Sequence, residues 1–132
     1  LSHFRPGVLT PKPQEKAHQS FWLKVNGKVD QPSDHYKLMA FMSDLQFLNT
    51  ALHAHPYSML HPAVQAASLD HTLWFYNNIN TTQWLYYDML SPVSGSSRGL
   101  NHGYFYTEEG TLIASSAQDG LIRVRTSSDS LK

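Results

Sequence analysis

Cysteine is absent from all 132 residues. That excludes disulfides, thiolate metal sites and a cysteine nucleophile, and it suits a reducing compartment. An excess of either charge is also missing: Lys plus Arg number 10, Asp plus Glu number 10, and the formal net charge is +0. Nothing in that balance steers the chain toward nucleic acid or an anionic membrane. No apolar run approaches the roughly 20 residues that a spanning helix requires. The first residues show no signal-peptide pattern. Internal repeats and low-complexity runs are lacking too. Asn80-Thr81-Thr82 is a formal glycosylation sequon, but no other feature points to secretion.

What is present fits one domain with a sizeable core. Residues 1–20 contain Pro6, Pro11 and Pro13 with Gly7, Lys12, Glu15 and Lys16 and show no apolar period. They read as a linker or surface arm, leaving 21–132 as the folded domain. Phe21-Trp22-Leu23-Lys24-Val25 reads as a strand. Asn26-Gly27 follows it, a pair that commonly turns a hairpin. Ser33 offers an N-cap for a helix that starts at Asp34. Leu38, Phe41, Met42, Leu45, Leu48 and Leu52 recur at helical spacing, with Met39 and Phe47 apolar off that stripe. A helix greasy on more than one side is expected to be buried, and it should stop by His55-Pro56.

From Ala66 onward the pattern is that of strands. Leu69, Leu73 and Phe75 share one parity, against Ser68, Asp70, Thr72 and Trp74 on the other. Further strands are expected over Trp84–Met89, Gly99–Thr107 and Thr111–Arg125, with Gly120 marking a bulge in the last. One strand, one long buried helix and several antiparallel strands make an α+β order.

Three polar residues stand out among apolar and aromatic neighbours: Asp70, Ser91 and Gln118. A carboxylate, a hydroxyl and an amide that converge can hold a water and aim it at an acyl carbonyl. Each also has a structural reading: a salt-bridged edge carboxylate, a loop hydroxyl before Pro92, and a strand-end amide. His71 follows Asp70, but neighbours on a strand point to opposite faces, so a Ser-His-Asp triad is not expected. His71 reads instead as a packed or bridging histidine. His53, His55 and His61 lie in a Pro-rich connection with no acidic partner nearby, so they read as solvated loop residues and no metal site is expected. Arg98 suits either a phosphate or a carboxylate that pins its loop. Gly95 and Gly99 permit a loop close to a ligand, or a tight turn. Asp44 reads as a packing or subunit contact. Trp74, Phe75, Tyr76, Trp84, Tyr86 and Tyr87 suit core filling or the wall of an acyl tunnel.

Three motifs in order carry a resemblance. They are Ser68-Leu69-Asp70-His71-x-x-Trp74-Phe75, Ser91-Pro92-x-x-Gly95-x-Ser97-Arg98-Gly99-Leu100, and Ala114-x-x-Ala117-Gln118-Asp119-Gly120-Leu121-Ile122-Arg123. Together they resemble the C-terminal half of the acyl-CoA thioesterase II family, over about Phe21 to Arg125. The resemblance implies a hotdog fold: a curved antiparallel sheet around one long central helix, with one strand running on past Asn26-Gly27. It implies hydrolysis of fatty acyl-CoA to free fatty acid and coenzyme A, with no cofactor. It assigns the water to Asp70, Ser91 and Gln118. Substrate contacts are expected at Arg98, Gly95 and Gly99. The bacterial pattern reads Ser-Thr where this chain has Ser91-Pro92, and there the Thr is catalytic. The peroxisomal branch reads Ser-Pro and uses the Ser, so Ser91 is expected in that role, with Ser94 and Ser96 as rivals.

Such thioesterases carry two hotdog halves in one chain. This chain starts at Leu1, as a processed product or a fragment does, and the resemblance favours a fragment that partners the N-terminal half of the same protein and forms a homo-oligomer. The Ser-Pro loop implies an intracellular, peroxisomal protein, or a cytoplasmic one if bacterial. The terminal Ser130-Leu131-Lys132 resembles but is not the Ser-Lys-Leu address. The alternatives are a catalytically silent half that only assembles with a partner half, and a hotdog acyl-CoA hydratase or dehydratase. The motifs of the latter, Asp-x-Asn-Pro-x-x-x-Asp-Pro or His-centred, do not occur.

Overall fold

Alternation of buried and exposed side chains sets the first strand. Ala17, Phe21 and Leu23 point inward from β1 (Ala17–Leu23). The computed structural model describes residues 17–125, so most of the expected arm, 1–16, lies outside the described residues. Its last four residues do not: Ala17–Ser20 pair with β4, from Ala17 opposite Ser91 to Ser20 opposite Asp88. The strand also stops at Leu23 rather than running on, and Gly27 adopts φ +117° in the loop that follows.

The helical layer differs from one long helix. Helix α1 spans Pro32–Asp44 and α2 spans Phe47–Leu52. Pro32 takes the first helical position, where its missing N–H costs nothing, so Ser33 lies inside the helix and Gln31 is the N-cap. Between the helices Gln46 sits at φ +60°. The reason is register. The buried face of α1 is Met39, Met42 and Ser43, and three or four residues further it would bury Gln46. The break rotates the chain so that Phe47 enters instead, fully buried. Gln19 of β1 braces the break, donating to Gln46 O at 2.7 Å and Thr50 Oγ1 at 2.7 Å. Phe41, a member of the expected stripe, is 58% exposed, whereas Met39 and Phe47 are wholly buried.

Five further strands follow: β2 (Val64–Ser68), β3 (Thr72–Phe75), β4 (Leu85–Gly95), β5 (Arg98–Thr107) and β6 (Leu112–Val124). The antiparallel order is β1-β4-β5-β6-β2, and β3 also pairs with β6. This is the hotdog architecture: a curled sheet packed on a helical layer. The core gathers around Tyr87, whose ring stacks on Phe105 at 3.9 Å between centroids. Gly120 makes no bulge. It pairs in register with Gly99 and Ser68, and a Cβ there would lie 2.1 Å from Leu48 Cδ1. Its bareness lets α2 approach the sheet. Among the described residues no helix is long and apolar enough to cross a membrane.

Candidate functional site

Two irregularities in the sheet lie level with each other. The first is in β4. Leu90 pairs with His102 and Val93 with Leu100, so Ser91 and Pro92 together oppose Asn101. Proline has no N–H for the ladder, and a bulge accommodates it. Ser91 Oγ then donates to Leu100 O at 2.7 Å, with Val93 O further off at 3.2 Å. The hydroxyl thereby serves carbonyls beside the bulge.

The second separates β2 from β3. Ser68 pairs with Gly120 and Thr72 with Ala117, so Leu69, Asp70 and His71 face only Asp119 and Gln118. Leu69 N–H donates to Asp119 O at 3.0 Å. The carboxylate of Asp70 takes the next place, its Oδ1 accepting Asp119 N–H at 2.8 Å. Asp70 is therefore an exposed residue in a sheet break, not a member of a continuous apolar strand. Its Oδ2 has no protein partner among the described residues.

Asn101 pairs with Gln118 across β5 and β6. One transverse row thus runs Ser91-Pro92, Asn101, Gln118, then Leu69-Asp70-His71. The structure brings Asp70 and Gln118 to the same break. Ser91 stands on the same row but on β4, two strand spacings or roughly 10 Å of sheet from β6, with Asn101 between.

Gln118 is buried and held at both ends. Its Oε1 lies 2.5 Å from His71 Nδ1, and its Nε2 donates to Ser68 Oγ at 2.9 Å. His71 continues to Ser43 Oγ at 2.7 Å. It does not touch Asp70, in keeping with a bridging histidine and not a triad base. Ser43 in turn anchors the core: its carbonyl accepts the Tyr87 hydroxyl at 2.6 Å. Burial pushes the Tyr87 phenol far above its ordinary range, beyond what its bond to Ser116 lowers, so it stays a neutral donor. Sequence reasoning missed Ser43, Ser68 and Asn101 as neighbours of the site. Two carried a signal: Ser68 heads the first motif on the parity of Asp70, and Asn101 is a polar residue on the parity of Gly99 and Gly103.

The remaining expected residues lie at the β4–β5 hairpin. Arg98 pairs with Asp119 Oδ2 at 2.6 Å, the carboxylate alternative of its two readings. Ser96 and Ser97, not Gly95, take positive φ at the turn. Gly99 faces the helix, where a Cβ would lie 2.6 Å from Ala51 Cβ, so its inner face offers no room to a ligand. Ser94 pairs with Gly99, off the row, and bonds His55 at 2.7 Å.

Of the aromatics, Tyr87 is core, while Trp74, Phe75 and Tyr76 are exposed. His53 is buried rather than solvated, within 3.4 Å of Asn49 Nδ2 and 3.3 Å of His18 O, because it closes α2 against β1. Among the described residues no group of three His, Cys, Asp or Glu side chains could hold a metal. A cleft of about 310 Å³ opens beside Ser68, lined by Asp44, Phe47, Asn49, Met59 and Ala67 among others. A larger groove of about 440 Å³ lies along the end of β6, from Ile122 to Arg125, and touches no member of the row.

A carboxylate with a spare oxygen, at the same sheet break as a clamped amide, can bind and orient a water. Comparison with known proteins gives the family. The model of the acyl-CoA thioesterase family matches residues 4–121. The chain is similar to acyl-coenzyme A thioesterase 8 of Homo sapiens, 34% identical over 122 residues, which cover 91% of this chain and 38% of that protein. It is likewise similar to acyl-CoA thioesterase 2 of Haemophilus influenzae, 34% identical over 110 residues, 81% of this chain and 38% of that one. Among solved structures it superposes on the acyl-CoA thioesterase II TesB2 from Mycobacterium marinum with a TM-score of 0.76 and 34% identity, over 95% of this chain and 49% of that one. The chain therefore spans well under two thirds of the length of these relatives, and within that span it belongs to the acyl-CoA thioesterase family.

Proposed function

We propose that this chain is the hydrolytic hotdog half of an acyl-CoA thioesterase that cleaves fatty acyl-CoA to free fatty acid and coenzyme A. A water oxygen attacks the thioester carbonyl carbon, Asp70 takes the proton, the C–S bond breaks, and the proton passes to the departing thiolate. Gln118 orients the water, while Ser91, two strands away with its hydroxyl bonded to Leu100 O, shapes the far end of the row. One observation carries the reading: Asp70 and Gln118 flank the same sheet break, the carboxylate anchored through Oδ1 with Oδ2 left for a water. No base contacts Ser91 Oγ among the described residues, which favours direct attack by water over an acyl-serine. A second hotdog half, N-terminal in the same protein, completes the acyl-CoA site, and Arg98, half exposed and tied to Asp119 through one guanidinium nitrogen, offers its other N–H groups to the phosphates of the coenzyme. The Ser-Pro loop favours a peroxisomal location.

Thiol release from a series of acyl-CoAs by the intact protein tests the activity. General base catalysis typically contributes about 10²–10⁴-fold, so Asp70→Asn is expected to lower kcat at least about 100-fold with the fold intact. A folded Asp70→Asn protein with near-normal turnover would overturn the assignment. So would an acyl group found on Ser91 by mass spectrometry of the reaction stopped in mid-turnover. No release from any acyl-CoA would favour the silent half.

A further inference from the structure

His71, on the row, has no part in the hydrolysis as described. His71 joins three elements. Its Nδ1 lies 2.5 Å from Gln118 Oε1 on β6, and its Nε2 lies 2.7 Å from Ser43 Oγ on α1. Its ring meets that of Phe47, on α2, at 5.7 Å between centroids and 76° between planes. An amide oxygen only accepts hydrogen bonds, so Nδ1 carries the proton that Gln118 Oε1 receives. At the other end, Gln118 Nε2 donates one N–H to Ser68 Oγ at 2.9 Å. The amide nitrogen has a second N–H, and it has no protein partner among the described residues although Gln118 is fully buried. Its direction is fixed by the two grips on the carboxamide. Nothing but His71 holds Oε1. Without that grip the amide can turn over, and the side that offered an N–H would offer a carbonyl.

We propose that His71 is a positioning residue of this site. It holds the Gln118 carboxamide so that the spare N–H stays directed at the oxygen of the attacking water. Ser43 and Phe47 hold His71 in turn, which links the orientation of the amide to the packing of both helices. The inference rests on the role given to Gln118 above.

An isosteric pair tests it in the intact protein. His71→Asn keeps an N–H at the δ position, while His71→Asp has the same shape and offers only acceptors at neutral pH. His71→Phe fills the ring volume with no N–H and controls for the added charge. Misplacement of a reacting group by about 1 Å can cost about 10²-fold in rate. We expect His71→Asp and His71→Phe each to lose roughly 10- to 100-fold in kcat at nearly constant KM. His71→Asn should stay within a few-fold of the parent. In a Gln118→Ala background the three should turn over equally, because contacting residues that act through one another are not additive. Normal kcat in folded His71→Phe, a loss confined to His71→Asp, or full additivity with Gln118→Ala would overturn the positioning role. Full turnover by Gln118→Ala alone would instead sink the parent reading of Gln118.

Discussion

At the scale of the residue, Asn101 is the least expected member of the row. It is fully buried, and neither Oδ1 nor Nδ2 has a hydrogen-bond partner among the described residues. Leaving a buried polar group unsatisfied costs about 1–3 kcal/mol, whereas an apolar group of similar shape avoids the cost. Its neighbours along the inner face of β5 are Gly99 and Gly103, so the strand gives the amide no side-chain partner of its own. Asn101→Leu is therefore expected to raise the unfolding free energy by about 1–3 kcal/mol, read from denaturant melts. An unchanged or lowered midpoint would mean that the amide is satisfied in solution. Asp70 shows the opposite economy. Its exposed carboxylate replaces a backbone acceptor at the sheet break, so its removal is expected to affect turnover far more than stability.

Bulges and the helical layer act at the scale of the element. The Ser91-Pro92 bulge follows from a ring that cannot donate, and the break at 69–71 gives Asp70 and His71 different directions. What holds the row beneath the helices is close approach: α2 lies against Gly120 and Gly99, its Leu48 and Ala51 filling the space where side chains would stand. A methyl group at position 120 would overlap Leu48 Cδ1 at 2.1 Å. Leu48 can give only by leaving its buried rotamer or by lifting α2, and overpacking of this kind costs about 1–3 kcal/mol. Gly120→Ala is expected to destabilise by that amount and to lower activity as well, since Gly120 stands two residues from Gln118 on the same face. A thermal melt superposable on that of the parent would show that the helix does not press on the strand.

Taken whole, the molecule leaves apolar surface uncovered. Phe41 is 58% exposed, Trp74 47% and Phe75 40%, and Tyr36 packs edge-on against Phe75 at 4.9 Å. The outer edges of β1 and of β2 with β3 have no strand partner among the described residues. Unpaired edges and apolar patches are templates for another chain. The chain also covers only 38% of its human relative and 49% of the mycobacterial structure it superposes on. Residues 1–132 alone are thus expected to self-associate, most simply as a two-fold dimer that mimics the second hotdog half proposed above. Their hydrolysis should be weak if the proposed second half helps to line the acyl site, because a copy of this chain would stand in its place. Sedimentation and thiol release on this chain alone check both parts, and a stable monomer with full activity would contradict them.

The local sequence by itself determined the element types, because alternation and turn chemistry act over a few residues. β5 and β6 begin and end within one residue of expectation, whereas the strand expected over 84–89 runs on through the bulge at Ser91-Pro92 to Gly95. The order of the three motifs was enough to identify the family. It could not determine where the helix breaks, since Gln46 leaves the helical register only because β1 and the core reward Phe47 with burial. Nor could it show that Asp70 leaves the strand, that Gly120 seats α2, or that Asn101 stands between Ser91 and Gln118. Those facts depend on the register of strands distant in sequence. A pairing slipped by one residue would send each side chain to the other face, so the site exists only in the tertiary structure that sets the register.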